Sequence, residues 1–192
     1  IEIDKNLIPI LNETLAGYNN VEIINQDILK VDINGLINRL GEKTAKLAAN
    51  LPYYITTPII MELLEKRANI ESITVMVQKE VADRMQAKPN SKDYGALSVA
   101  VQYYCDAEIN FIVPPSCFMP RPNVDSAVIT LTPKKNPIPV KSPETMFKII
   151  KCAFGQRRKT LLNSIFNIGG FNLSKDQLAE IFTAVGLDHK IR

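Results

Sequence analysis

Two hydrophobic rhythms run along the chain. Short apolar runs ending on polar residues, "VEIIN" (21–25), "AKLAAN" (45–50) and "SITVMVQ" (72–78), have the length and β-branched content of strands, and "IEID" (1–4) alternates apolar and acidic like a strand end. Between them the period changes to that of a helix. Leu7, Ile10, Leu11 and Leu15 share one face, with Pro9 tolerated in the first turns, and "TPIIMELLEKRA" (57–68) predicts a helix with Thr56 or Thr57 as N-cap and Pro58 in its first turn. Strands alternating with helices predict an α/β fold with a largely parallel, doubly wound sheet. After a short helix over "QKEVADRM" and an amphipathic "YGALSVAVQYY", the runs "AEINFIV" and "DSAVITLTP" are separated only by "PPSCFMPRPNV". That connection is too short for a helical crossover, so the two pair antiparallel at one edge and the sheet is mixed. Beyond the proline-rich "KKNPIPVKSP" the pattern is helical only: "ETMFKIIKCAF", "RKTLLNSIF" and "SKDQLAEIFTAVG". The expected organisation is an α/β domain over residues 1–133 and a small all-helical domain over 134–192.

Charge follows the same division. Residues 1–133 hold 12 Lys and Arg against 16 Asp and Glu, a net of −4, whereas residues 134–192 hold 11 against 4, a net of +7. A mildly acidic part joined to a compact basic part suits one section doing chemistry and the other holding a polyanion, with a merely solvated basic surface as the alternative. Three cysteines, Cys105, Cys117 and Cys152, have spacings of neither a zinc site nor a disulfide framework and read as reduced thiols. A single histidine, His189, leaves no room for a Ser/His/Asp triad or a multi-histidine metal site, and no metal is expected. No apolar run approaches the ~20 residues that cross a bilayer, so no membrane partner is expected and the cytoplasm is the default location. The default oligomeric expectation is a monomer.

In an open α/β sheet ligands bind outside the carboxyl ends of the strands. The polar residues there are Glu2 and Asp4, Asp27, Asn50, and Gln78 to Glu80. Glu2 suits the hydroxyls of a ribose, and Asp4 reads better as a helix N-cap. Asp27 either accepts from an adenine amine while Ile28 packs on the ring, or is a turn residue. In "AANLPYYITTPI" (48–59), Asn50 offers a carbonyl acceptor at a strand end, and Pro52 forces Leu51 towards an extended conformation that leaves its carbonyl available as a second. Two fixed acceptors suit an exocyclic amine, and Tyr53 beside them can stack on the ring that bears it, as in a holder for a flipped-out base. Accepting both amine hydrogens localises the nitrogen lone pair, and alignment with an electrophile such as a methyl sulfonium then suffices without a strong base. A plain β-to-α turn with core tyrosines is the other reading of the same residues.

"NLPYYITTPI", "VMVQKEVADR", "FMPRPNVDSAVI" and "CAFGQRRKTLLNS", in this order and at these separations, resemble the KsgA-type ribosomal RNA adenine dimethyltransferases, the small-subunit methyltransferase A group. The resemblance covers essentially the whole chain. It implies a Rossmann-like class I methyltransferase sheet and transfer of two methyl groups from S-adenosylmethionine to each of two adjacent adenosines near the 3′ end of small-subunit rRNA. The implied partners are that rRNA and the immature small ribosomal subunit, in ribosome biogenesis. By motif, Glu2 would bind the cofactor ribose, Asp27 and Ile28 its adenine, Asn50 both cofactor and target, Leu51 and Pro52 the target amine, and Tyr53 the target base. Phe118 would cover the other face of that base; read without the family it is a loop aromatic anchoring the edge hairpin. The helical domain would dock on rRNA through Arg157, Arg158 and Lys159, with Lys148 and Lys151, three apart on one helix face, as phosphate contacts or simply solvated lysines. Whether the three successive cations begin a helix or close the preceding one is open.

The resemblance starts at the family's second strand: its first strand and glycine-rich cofactor loop would precede Ile1, and the eight glycines form no G-x-G. A chain without that loop is expected to bind the cofactor poorly. Rival readings are the large-subunit rRNA dimethyltransferase that confers antibiotic resistance, a non-catalytic RNA-binding or assembly factor, and a DNA adenine methyltransferase. The last usually carries an acidic residue where Asn50 stands.

Overall fold

The computed structural model describes residues 1–41 and 44–191. Four strands, β1 (Ala45–Asn50), β2 (Ile70–Gln78), β3 (Cys105–Val113) and β4 (Ser126–Pro133), form one sheet in the order β1-β2-β4-β3. The β1 strand pairs parallel with β2, running from Lys46 opposite Ser72 to Asn50 opposite Met76. The β4 strand pairs antiparallel with β2, from Ile73 opposite Leu131 to Gln78 opposite Ser126. The sheet is mixed, as the short β3–β4 connection requires. Every second residue of β2 from Ile73 is buried, and Ala127, Ile129 and Leu131 of β4 are buried beside them. Burial of each such aliphatic side chain stabilises by about 1.5–3 kcal/mol. The register is held for the same reason: a one-residue slip would turn this set to the opposite face.

The helices are α1 (Leu7–Thr14), α2 (Ile33–Arg39), α3 (Thr56–Glu65), α4 (Lys79–Gln86), α5 (Ala96–Tyr104), α6 (Pro143–Gly155), α7 (Leu161–Gly169) and α8 (Lys175–Ala184). Contacts group the chain into two compact units, one of Ile1–Lys79 with Glu108–Pro133 and one of Glu80–Ala107 with Lys134–Arg192. The stretch Glu80–Ala107, which the sequence pattern kept with the α/β part, clusters with the C-terminal helices.

In the second unit Cys152, Leu162, Ile165, Leu178 and Phe182 form a core, with Leu161, Phe171 and Ala179 packed against it. Local signals start α6, α7 and α8. Ser142 Oγ accepts from the Thr145 amide ahead of Pro143, Thr160 Oγ1 accepts from Asn163, and Ser174 and Gln177 make a reciprocal capping box. Gly170, at φ 54°, ends α7 in the left-handed region that glycine occupies without strain. Burial of Cys105 pushes its thiol up from the ordinary 9.0 to about 12, with Lys134 opposing and Asp106 adding to the effect. Among the described residues no helix is long and apolar enough to cross a membrane.

Several local expectations are corrected. "IEID" and "VEIIN" do not form strands; one parallel bridge joins Glu2 to Asn25. The Asn25 side-chain amide donates to the Glu2 carbonyl at 2.8 Å and to that of Ile3 at 3.3 Å, occupying acceptors that a longer ladder would use. Neither Thr56 nor Thr57 caps α3: Ile55 holds the cap position, and Thr56, already helical, donates its hydroxyl to the Pro52 carbonyl at 3.1 Å. Asp4 caps a turn rather than α1, accepting from the Asn6 amide at 2.8 Å, while Asn6 precedes the helix. The α2 helix had no counterpart among the sequence-based expectations. Asp32 starts it by accepting from the Gly35 amide at 3.0 Å, and a Cβ on Gly35 would sit 2.4 Å from the Asp32 carboxylate.

Candidate functional site: a rigid corner and a basic turn

Asn50, Leu51, Pro52 and Tyr53 lie where β1 leaves the sheet and turns into α3. The Leu51 amide makes the last bond of the parallel ladder, to the Met76 carbonyl at 3.4 Å. The Pro52 carbonyl accepts from the Ile55 amide and the Thr56 hydroxyl, both at 3.1 Å, which closes the corner as a turn. Pro52 O is therefore engaged. Among the described residues no donor reaches the Leu51 carbonyl, and the exposed Asn50 side chain makes no hydrogen bond. Two oxygens at a strand end, of the Asn50 side chain and the Leu51 main chain, thus stand beside a turn closed through the Pro52 carbonyl.

Tyr53 is tethered at one end only. Its hydroxyl is 2.8 Å from Ser126 Oγ, a fully buried hydroxyl at the first residue of β4, while the residue remains 36% exposed. Tyr54, at 86% exposed, has no such anchor. Ser126 was not legible as part of this site, because 73 residues separate it from Tyr53 and no local pattern links them. Antiparallel insertion of β4 brings the two together: Ser126 pairs with Gln78, so the start of β4 shares a sheet end with the last residues of β1 and β2. The Lys79 amide, donating to the Asp125 carbonyl at 2.9 Å, secures that end. Phe118, half-buried, follows the 3-10 turn Pro115–Cys117 in the β3–β4 connection whose far end is Ser126.

The two acidic candidates each have one carboxylate oxygen engaged locally. Glu2 Oε1 accepts from the Asp4 amide at 2.8 Å and Asp27 Oδ1 from the Leu29 amide at 3.0 Å. Their other oxygens receive no hydrogen bond among the described residues. Asp27 is therefore a turn residue that keeps an acceptor, so its two readings are compatible. Ile28, in the 3-10 turn Ile28–Lys30 that Asp27 caps, lines a cavity of about 300 Å³ with Leu29, Ile59 and Leu63. The polar rim of that cavity includes Glu62 and Lys66, paired at 2.6 Å.

In the helical unit Arg157, Arg158 and Lys159 lie in neither helix. The α6 helix ends at Gly155, the Lys159 amide turns back to the Gln156 carbonyl at 2.9 Å, and Thr160 caps α7. All three cations are exposed and have no ion pair among the described residues. The two lysines of α6 differ. Lys151 is exposed with no partner among the described residues, whereas Lys148 Nζ sits 4.6 Å from the centroid of the Phe171 ring, a cation–π contact.

Residues 1–187 match the family model described as ribosomal RNA adenine dimethylase. The chain belongs to that family. Along its whole length it is 58% identical to the Ribosomal RNA small subunit methyltransferase A of Lachnoclostridium phytofermentans and 55% identical to the protein of that name from Clostridioides difficile, covering 67% and 66% of those proteins. The chain thus spans about two thirds of the length of these dimethylase-family relatives. A dimethyladenosine transferase from Plasmodium falciparum shares the fold with a TM-score of 0.75 at 25% identity, over 98% of this chain and 74% of that one. A 23S rRNA methyltransferase, ErmE, shares the fold at a TM-score of 0.63 and 24% identity, over the whole of this chain and 73% of that one. Membership of the dimethylase family agrees with the order and spacing of the four sequence blocks, and these neighbours with the Rossmann-like methyltransferase fold.

Proposed function

We propose that this protein is an S-adenosylmethionine-dependent methyltransferase acting on the exocyclic amine of two adjacent adenosines of small-subunit rRNA, within ribosome biogenesis in the cytoplasm. The observation that carries the proposal is the corner at residues 50–53: two unengaged oxygens, on Asn50 and Leu51, beside a tyrosine ring that is anchored by its hydroxyl and open to solvent. The names of the relatives support the rRNA substrate and the small subunit as its source. The immature subunit is the partner this reading requires.

In this reading Asn50 Oδ1 and the Leu51 carbonyl each accept one hydrogen of the extruded adenosine's amine. That favours a pyramidal nitrogen whose lone pair is no longer spread into the ring. Tyr53 stacks on the base and Phe118 covers its other face, so the amine is held in one orientation. Neither acceptor has to act as a base, which agrees with a corner that holds no histidine. Pro52 contributes through its ring and its extended neighbour, since its carbonyl is committed to Ile55 and Thr56.

The free oxygens of Glu2 and Asp27, with the apolar side chain of Ile28, fit the ribose hydroxyls and adenine of the methyl donor, and Asn50 lies at the strand end where its methyl-bearing portion would approach. S-adenosylmethionine, when bound, supplies the electrophilic methyl sulfonium. Residues 1–133 form the catalytic part and residues 134–192 the RNA-docking part, through Arg157, Arg158, Lys159 and Lys151. Lys148, seated on Phe171, contributes to packing as well as charge.

The test is methyl transfer from labelled S-adenosylmethionine to purified small and large ribosomal subunits, with Asn50→Ala alongside. Labelling of the small subunit that Asn50→Ala abolishes is the expected result. Labelling of the large subunit instead would transfer the assignment to the resistance-type enzymes, and undiminished turnover by Asn50→Ala would remove the amine contact.

A further inference from the structure

The loop between α4 and α5, residues 88–94, carries two exposed lysines, Lys88 and Lys92, with no ion pair among the described residues. It is held firmly at both ends. Gln102, on α5, donates from its side-chain amide to the Met85 carbonyl at 3.0 Å and to the Ala87 carbonyl at 2.8 Å, just before Lys88. Ser98, fully buried, donates to the Arg84 carbonyl at 2.6 Å and accepts from the Gly95 amide at 3.0 Å, just after Tyr94. Two internal turns, Ser91 N to Lys88 O at 3.2 Å and Tyr94 N to Ser91 O at 3.3 Å, and Asn90 at φ 70° compact the segment further.

The position of this loop is fixed by an aromatic contact within its own compact unit. The Tyr94 ring meets the Phe154 ring edge-on, with centroids 5.9 Å apart, and Phe154 lies in the last turn of α6, three residues before Arg157. The Tyr94 end of the loop therefore lies against the last turn of α6, which leads directly into the Arg157-Arg158-Lys159 turn. Together loop and turn display five side-chain cations with no ion pair among the described residues, and Asp93 is the only acid in the loop. Such charges repel one another unless a polyanion lies against them. A loop already ordered by its own hydrogen bonds binds without the entropic cost of ordering.

We propose that Lys88 and Lys92 form a second contact to the phosphate backbone of the RNA held by the Arg157-Arg158-Lys159 turn, so that the docking surface extends beyond residues 134–192. The proposal rests on the RNA-docking reading of that turn. Its test is the affinity of the protein for transcribed small-subunit rRNA across a salt series, for Lys88→Ala with Lys92→Ala, Lys88→Arg with Lys92→Arg, and Arg157→Ala with Arg158→Ala.

Two lost phosphate contacts should flatten the slope of log affinity against log salt by about 1.5 for either alanine pair, and the arginine pair should retain the original slope. Weaker binding by the Lys88/Lys92 alanine pair with an unchanged slope would show a structural defect and overturn the proposal. Unchanged affinity and slope for that pair, with Arg157/Arg158 binding impaired, would overturn it while leaving the docking turn in place. Unchanged binding in both alanine pairs would remove the docking reading itself.

Discussion

The corner at residues 50–53 and the turn at residues 157–159 are both exposed connections between regular elements, yet they are built oppositely. At the corner the groups left free are uncharged: an amide and a carbonyl, with the turn closed through the Pro52 carbonyl and the tyrosine pinned to Ser126. At the turn the free groups are three full charges on long side chains. Neutral acceptors fixed in place favour one hydrogen-bonding partner in one orientation and contribute little at a distance, because their fields fall off steeply. Charges act over about 8–10 Å at physiological salt and tolerate variation in the partner's position. The first arrangement suits chemistry at a single amine and the second suits holding a large anion.

This contrast can be broken at either end. The largest effect is expected from Asn50→Ala, which should lower methyl-transfer turnover about 100-fold or more, on the scale of losing one preorganised transition-state contact. RNA affinity, measured in parallel, should stay unchanged. Arg157→Ala with Arg158→Ala should do the reverse, weakening rRNA binding, flattening its salt dependence and leaving single-turnover methylation of saturating RNA nearly intact. If both variants lost both properties together, the division of labour would be wrong.

Tyr53 separates stacking from anchoring. Tyr53→Ala should cost about 1–3 kcal/mol through lost base stacking. Tyr53→Phe and Ser126→Ala should each cost about 1 kcal/mol through the same hydrogen bond, and their double variant little more than either alone. Additive losses in that cycle would show that the Tyr53–Ser126 contact is not what orients the ring. Lys148→Ala sharpens the other side: it should lower thermal stability by about 0.5–1 kcal/mol through the Phe171 contact, an effect absent from Lys151→Ala.

Cys105 offers a control outside both regions. Its folded thiol titrates near 12 against an ordinary 9.0, so between those values the unfolded chain releases a proton that the folded chain keeps. Folding stability should therefore fall as pH rises through that window, and Cys105→Ala should lessen the slope in a pH series of denaturant midpoints.

Where the apolar period was long and unbroken, local pattern and structure agree. The β2, β3 and β4 strands and helices α3 to α8 lie within a few residues of their expected positions. The disagreements fall where backbone groups had a choice of partner. Asn25 bonded across to Glu2 and Ile3 in place of a continuing ladder, Thr56 bonded to Pro52 in place of capping, and Asp32 started a helix in a stretch that the apolar pattern left unassigned. Each is a competition between side-chain and main-chain hydrogen bonds separated by about a kilocalorie, and local propensity does not resolve differences of that size.

The amino-acid sequence by itself determined the corner's backbone, because Pro52 restricts its own φ and the conformation of Leu51 wherever they occur. It also determined the charge asymmetry, which is a count, and the family-like order of the motifs. Only the tertiary structure decided that Ser126 holds Tyr53, that Phe171 takes up Lys148, that the three cations fall between helices, and that the Lys88 loop joins them through Tyr94 and Phe154. Each of those contacts joins residues far apart along the chain, or sets a boundary that packing selects, and such pairings form only when strands insert and helices dock.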